Sequence, residues 1–402
     1  MSSTALVLTL VVLLSLYLCY GIIDGLQRRW QQRQQQRRLP LVVSRIRRQQ
    51  DMLKIWLRHA EDQQLPTARA GQHILLFGQD LQGKAVSRAY SLVQDNQQRQ
   101  YYLLAIKAEA NGRFSQALWQ TLSVGDQLQS SYPKGHFLLR HDWRHRCKQW
   151  LPALLRPRWL RGRPLVLVGG GIGITPMLAM AQQAIRQQRP VWLCYQARTA
   201  QDLLWHRYLQ RLPGLHYRPI LSQPAPDWQG GRGRITARQL IAMAGLKADY
   251  YLCANADMVQ SLEQELRQAG VQRCYHELFS AAHSKNSFAL QLDQLQADSL
   301  GHSSVLDALL AAGIQVPYDC RGGSCGQCRL KLVSGQCQTV LQPEFELAAD
   351  EILSCCMQAQ SPLQLAFCQP ESSAEDAQVT TAQQRPRYPD DAGKFPQSSP
   401  TT

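Results

Sequence analysis

The chain has no internal repeat, no recognisable nucleic-acid reader motif and no regular framework of paired cysteines. The first absence excludes solenoids and propellers. The second matters because 44 basic residues stand against 29 acidic ones, a net charge of +15. That excess is localised rather than laid along a reading element, so no nucleic-acid partner is expected. The third absence concerns twelve cysteines in 402 residues. Most of them are unevenly placed, which does not make a secreted disulfide scaffold and points to a reducing compartment.

Acidic residues are also missing between Arg28 and Arg48, a Gln-rich stretch that holds eight arginines. Charge of either sign is missing from Ala5–Ile23. Those 19 residues are enough, at about 1.5 Å each, to cross a hydrocarbon core of about 30 Å. No basic region precedes the run and no small-residue cleavage site follows it, so it reads as one transmembrane helix rather than a cleaved signal. Arg28, Arg29, Arg33, Arg37 and Arg38 follow immediately. By the positive-inside rule they predict a single-pass protein of the inner (cytoplasmic) membrane whose remaining domains face the cytoplasm.

What the chain does have is a C-x4-C-x2-C…C pattern near its C-terminus: Cys320, Cys325 and Cys328 in DCRGGSCGQC, then Cys355 in ILSCC. Two irons with two bridging sulfides need four thiolates, three of them from one tight loop. Gly322, Gly323 and Gly326 permit such a loop and let backbone N–H groups face sulfur. Zinc sites show paired short spacings instead. Either Cys355 or Cys356 satisfies the fourth position by spacing. Cys337 and Cys368 lie outside the pattern and are expected as small buried hydrophobes. Ser287–Leu292 alternates as an edge strand, Ser303–Ala312 as a short serine-capped helix, and Arg329–Val333 as the strand leaving the loop. These segments resemble the plant-type ferredoxin domain over residues 285–370, and the resemblance favours Cys355 as fourth ligand.

Two further units precede it. Residues 39–140 are strand-rich, with KIWLR, AGQHILLF, RAYSLV and YYLLAIKA separated by Gln, Asn, Gly and Pro breaks, which predicts a small antiparallel barrel. RAYS supplies an aromatic face, a cation and a hydroxyl, and Gly112 and Ser115 open a helix able to receive phosphate. Residues 164–280 begin with PLVLVGGGIGITPM, a buried strand, a glycine turn and a helix, followed by further alternating α/β segments. Residues 25–38 and 141–163 are basic linkers. The latter interleaves tryptophans with arginines, which suits either a solvated linker or an interfacial surface. Ser280–Lys285 reads as a hinge and residues 371–402 as a disordered tail.

RAYS, GRFSQAL and YPKGHF together resemble the flavin domain of the ferredoxin-NADP reductase family. The resemblance implies flavin contacts at Arg88, Tyr90, Ser91 and Lys107, phosphate contacts at Gly112, Phe114 and Ser115, and FAD through Pro133, Gly135 and Phe137. GGGIGITP, CANADM and HELF resemble that family's pyridine-nucleotide domain. They imply dinucleotide binding by Gly171, Gly173, Thr175, Pro176, Asp257 and Met258, with Cys253 beside the nicotinamide and Glu277 and Phe279 near the flavin. Ala254 and Asn255 depart from the family's usual Gly-Pro. Arg198, ending VWLCYQAR, suits a 2′-phosphate or a ribose, so NADPH and NADH both remain open.

The resemblances cover about 330 of the 402 residues. They imply an NAD(P)H-dependent oxidoreductase of several domains: a transmembrane helix, a β-barrel with FAD, an α/β nucleotide domain and an α+β (β-grasp) 2Fe-2S ferredoxin. No side chain need act as a covalent catalyst. The expected acceptor is a redox protein at the membrane, such as a di-iron desaturase or hydroxylase. The alternatives are a soluble oxygenase, a hybrid-cluster protein or a quinone, and, outside catalysis, an iron-sulfur redox sensor.

Overall fold

A computed structural model of the chain describes residues 38–94, 99–109, 112–140, 162–278, 284–318, 320–323, 325–343 and 347–368. Every element below lies within one compact unit that ends at Phe367.

The first domain is an antiparallel barrel. Its strands are β1 (Leu39–Gln49), β2 (Met52–His59), β3 (His73–Gln79), β4 (Ala85–Ser91), β5 (Tyr102–Lys107) and β6 (Gln127–Ser130), with helix α1 (Arg113–Thr121) between the last two. Hydrogen bonding follows the order β4-β3-β6-β1-β2-β5. The Val93 amide donates to Leu103 O (3.0 Å), tying the exit of β4 to β5. Inward-facing Leu41, Leu53, Ile55, Leu57, Ile74, Leu76 and Leu104 are fully buried, each contributing about 1.5–3 kcal/mol of hydrophobic stabilisation. Along β1 the register shifts between Val43 and Arg45. Beyond that irregularity the strand presents arginines: Arg45 lies over Trp56 and Arg48 over Trp119. Three of the eight arginines that read as a basic stretch therefore belong to a strand.

The second domain is a parallel sheet in the order β10-β9-β8-β7-β11-β12. Its elements are β7 (Leu165–Gly170), α2 (Ile174–Arg186), β8 (Val191–Ala197), α3 (His206–Arg211), β9 (Leu215–Leu221), β10 (Gly231–Arg232), α4 (Ala237–Ala244), β11 (Asp249–Ala254), α5 (Ala256–Gln268) and β12 (Cys274–Leu278). The chain builds β8, β9 and β10 outward on one side of β7, then crosses to place β11 on the other. A sheet of this kind has its ligand crevice at that switch point, outside the carboxyl ends of the strands. At the amino end, Asp249 pairs with both Arg189 and Arg273.

The third domain has the β-grasp arrangement. Its elements are β13 (Ala289–Leu292), β14 (Leu295–Asp298), α6 (Val305–Ala311), β15 (Arg329–Ser334), β16 (Cys337–Thr339), β17 (Glu351–Leu353), β18 (Met357–Ala359) and β19 (Leu363–Phe367). The main sheet runs β14-β13-β19-β15-β17, with β13 and β19 parallel, and β16 pairs with β18 apart from it. The Ser304 side chain caps α6 by accepting from the Asp307 amide (3.1 Å). Ser284, assigned to a hinge by sequence, already bonds into this domain through the His302 carbonyl (2.8 Å). Cys337 and Cys368 are only partly buried rather than core residues.

The expected inner-membrane, single-pass location is corrected. Among the described residues no helix is long and apolar enough to cross a membrane. The longest, α2 and α5, have 13 residues each, about 20 Å at 1.5 Å per residue against a core of about 30 Å. The apolar segment Ala5–Ile23, the basic linker 25–37, most of the linker 141–163 and the tail 371–402 lie outside the described residues.

Candidate functional site

A cleft of about 1180 Å³ opens at the carboxyl ends of the parallel strands, between the nucleotide domain and the barrel. Gly170, Gly171, Arg198, Ala254, Asn255 and Met258 line one wall, and Arg47, Lys54 and Lys107 the other. Close packing dictates the glycines. A Cβ on Gly173 would collide with the Cys253 carbonyl oxygen, and one on Gly170 would lie 2.6 Å from Ala254 Cβ. Gly171 has φ +54°, a backbone state that favours glycine. Thr175 does not cap α2; its buried hydroxyl donates to Ile172 O (2.9 Å) and so shapes the loop. Pro176 is buried in the first turn of α2.

The unusual CANADM loop has a physical account. Asn255 is the N-cap of α5, its side-chain oxygen accepting from the Met258 amide (3.2 Å). Asn is among the best residues for that task. Asp257 sits exposed in the first turn of α5, where an acid complements the helix dipole. Cys253 stands opposite Glu277 in the β11–β12 ladder. Burial, then the Glu277 charge, pushes its thiol well above the usual range, so Cys253 is a neutral, fully buried thiol next to the cleft residue Ala254. Phe279 lies outside the described residues. Lys107 lines the cleft, with Asp51 (3.8 Å) and Glu109 (3.7 Å) beside its amine.

On the barrel, Arg88, Tyr90 and Ser91 share β4. The Tyr90 ring lies 6.5 Å from that of Phe114, which brings the strand to the start of α1. Gly112 is the N-cap of α1, and a Cβ there would strike Ser115 Oγ. An aromatic ring and a guanidinium on one face of β4 thus lie beside a helix N-terminus, with the Ser91 hydroxyl on the same strand, a donor set that fits a flavin and its phosphates. Gly135 (φ +112°) turns the chain beneath His73, and a Cβ would come 2.9 Å from His73 Nδ1. Phe137 then packs its ring 5.6 Å from Tyr251 of the nucleotide domain.

The cluster loop meets this strand. Arg88 is held below its usual range first by burial and then by the positive charge of Arg321, and it also feels Tyr318 and Cys320. Partial burial would raise the Tyr318 phenol, but Arg321, Arg113 and Lys84 together hold it low. Arg321 lies over the Tyr318 ring (4.7 Å) and pairs with Asp307 (3.1 Å). The loop therefore lies within electrostatic reach of the barrel, beside the RAYS strand.

The four cysteines meet in two pairs. Cys325 lies within hydrogen-bonding reach of Cys320, and Cys328 of Cys355, all four as free thiols. The Cys320 amide points at Cys325 Sγ and the Gly322 amide at Cys320 Sγ, each at 3.4 Å. Among the described residues no group of three or more His, Cys, Asp or Glu is placed to hold a single metal ion. Two thiols per iron and amide donors to sulfur are what a dinuclear cluster asks for, so the residues fit it. Cys356 instead packs beneath Gly323.

Sequence reasoning missed Arg47 and Lys54 on the cleft's barrel wall, where burial and then Arg47 lower the Lys54 amine. It also missed Tyr195, whose hydroxyl bonds to the Gly171 carbonyl (3.0 Å) and steadies the glycine turn. A cation on a barrel strand or a tyrosine on a buried strand has no local signal of its role.

Family models match in the same order as the domains. That for the oxidoreductase FAD-binding domain covers residues 42–138, that for the oxidoreductase NAD-binding domain 167–264, and that for the 2Fe-2S iron-sulfur cluster binding domain 293–360. The reductase subunit of the toluene-4-sulfonate monooxygenase system of Comamonas testosteroni is 31% identical over 332 residues, 79% of this chain and 95% of that protein. The 3-chlorobenzoate-3,4-dioxygenase reductase subunit of Comamonas testosteroni is 27% identical over 328 residues, 80% and 94% respectively. Phthalate dioxygenase reductase shares the fold, with a TM-score of 0.55 at 23% identity over 82% of this chain and 97% of its own. These relatives are nearly complete within about four-fifths of this chain, so their architecture requires no segment like Ala5–Ile23. The membrane location rested on that segment alone. With barrel, switch-point cleft and cluster loop in place and a relative above the level that shows common descent, the chain belongs to the family of FAD- and 2Fe-2S-containing, NAD-binding reductase components of oxygenase systems.

Proposed function

We propose that the chain accepts hydride from NAD(P)H in the cleft between barrel and nucleotide domain. Electrons then pass singly through the Cys320, Cys325, Cys328 and Cys355 site to the terminal component of an oxygenase system. The observation that carries this reading is Arg88, which stands on the flavin strand and at the same time within electrostatic reach of Cys320. A donor site and an acceptor site that share a side chain need no domain swing between them. When bound, the nicotinamide supplies two electrons as hydride, the flavin divides them, and the cluster carries one at a time.

The chain's own residues do the rest. Gly171 and Gly173 let backbone approach the dinucleotide, and Met258 and Asn255 fix the start of α5 beside it. Cys253 and Glu277 close the wall toward the flavin. Arg88, Tyr90 and Ser91 hold the flavin on β4, and Gly112, Phe114 and Ser115 its phosphates. The oxygenase acceptor is favoured over a hybrid-cluster protein or a quinone because the relatives are named as reductase subunits of a monooxygenase and a dioxygenase system.

Substitution at the cluster tests the relay. Cys325→Ser or Cys328→Ser exchanges a soft thiolate for a hard hydroxyl. Both variants should lose the visible and EPR signals of the cluster and electron delivery to an oxygenase component, yet keep FAD and NAD(P)H-to-ferricyanide activity. A native EPR signal in both would refute the ligand assignment.

A further inference from the structure

The Cys355–Cys356 pair holds a feature that ligation alone does not use. The residues form a tight 3-10 turn, Ser354–Cys356, in which all three side chains are buried. The turn is anchored on each side. The Ser354 amide (3.0 Å) and hydroxyl (2.9 Å) both donate to Cys328 O, while Cys356 O accepts from the amides of Val340 (2.8 Å) and Leu341 (3.2 Å). Cys355 is thereby aimed at Cys328, across the site. Cys356 is aimed elsewhere but stays close, with its Sγ 3.7 Å from Cys355 Sγ. Its other neighbour is Gly323 of the cluster loop (φ +76°), where a Cβ would lie 2.6 Å from Cys356 Sγ. The second thiol is thus wedged between a ligand sulfur and the loop, with no exposed surface.

We propose that Cys356 is a positioning residue that tunes the cluster, its S–H donating a hydrogen bond to the Cys355 thiolate. The inference rests on Cys355 being the ligand. With Cys355 as an iron ligand its sulfur is an acceptor, and Cys356, 3.7 Å away and outside the coordination sphere, is the thiol placed to donate to it. Hydrogen bonds to the sulfurs are one of the levers that set the potential of an iron-sulfur cluster. Reduction adds negative charge, so a donor stabilises the reduced form and raises the potential. Burial strengthens the effect, because no water competes for the sulfur.

The test compares Cys356→Ala, Cys356→Ser and Cys355→Ala in the full-length holoprotein, with iron content and an EPR-monitored reductive titration as readouts. Cys356→Ala should keep the cluster but shift the one-electron equilibrium toward the oxidised form by about threefold, about 30 mV downward at 59 mV per decade. Cys356→Ser restores a donor and should return the midpoint to or above that of wild type. Cys355→Ala should lose the cluster, which checks the underlying ligand assignment separately. An unchanged midpoint in Cys356→Ala, or a Cys356→Ser midpoint as low as that of Cys356→Ala, overturns the proposal. Loss of the cluster from both Cys356 variants with retention in Cys355→Ala makes Cys356 the ligand and overturns both readings. Loss from all three makes the buried thiol a packing requirement of the turn and overturns the tuning role alone.

Discussion

Arg198 stands exposed at the end of β8 and lines the cleft. In a dinucleotide fold this is where an acid grips the 2′-hydroxyl of NADH or an arginine accommodates the 2′-phosphate of NADPH. Should Arg198 read the phosphate, Arg198→Ala should raise KM for NADPH about tenfold to a hundredfold, about 1.4–3 kcal/mol for a lost charge-assisted contact, and barely alter KM for NADH. Steady-state kinetics with both cosubstrates decide it; equal losses would make Arg198 a general positioning residue. Sequence could nominate this residue because it ends a strongly apolar strand. It could not nominate Lys54, which becomes a cleft residue only when barrel and nucleotide domain meet, and spacing alone could not separate Cys355 from Cys356, where a single turn decides which sulfur faces Cys328.

At the scale of elements, legibility followed apolar content. Strands β2 to β5, β7, β8, β11 and β12 were visible as hydrophobic runs, and α6 by its serine cap. Strand β9 was not, since LHYRPIL keeps only its last two residues buried and lacks the continuous apolar run of a central strand. Strand β1 was hidden by its arginines, and β6 spans only four residues. Equally illegible was the ion cluster at the foot of the nucleotide sheet. The Arg189 and Asp249 side chains are 5% and 2% exposed, and Arg189 also donates to Arg163 O (2.6 Å). Asp249→Ala leaves a buried guanidinium without its anion, at a cost of about 3–5 kcal/mol. Chemical denaturation should show that loss. Activity per folded molecule should persist, because Asp249 opens β11 at the end away from the cleft.

In the whole molecule, Tyr251 joins two domains. Its hydroxyl donates to Leu138 O (3.1 Å) and accepts from the Arg140 amide (2.8 Å), and burial pushes its phenol up to about 12. Tyr251→Phe removes both bonds and leaves two backbone groups of the barrel exit without this partner, costing about 1–3 kcal/mol. Stopped-flow reduction of the flavin by NAD(P)H should slow by up to about a hundredfold, since hydride transfer is sensitive to small misplacement. Dinucleotide affinity should change much less, because its loop is built from the nucleotide domain.

The barrel comes first in the sequence yet lies within reach of both other domains, offering β1, β2 and β5 residues to the cleft and bringing the β4 residue Arg88 within electrostatic reach of the cluster loop. Donor and acceptor therefore approach by separate doors. Oxidised dinucleotide then need not depart before the oxygenase component docks, and a three-body complex of cosubstrate, reductase and acceptor is expected. NAD(P)+ should consequently inhibit competitively against the cosubstrate and not against the acceptor in initial-rate measurements at varied NAD(P)H and acceptor concentrations. Competition by NAD(P)+ against the acceptor would mean that one door closes while the other is in use.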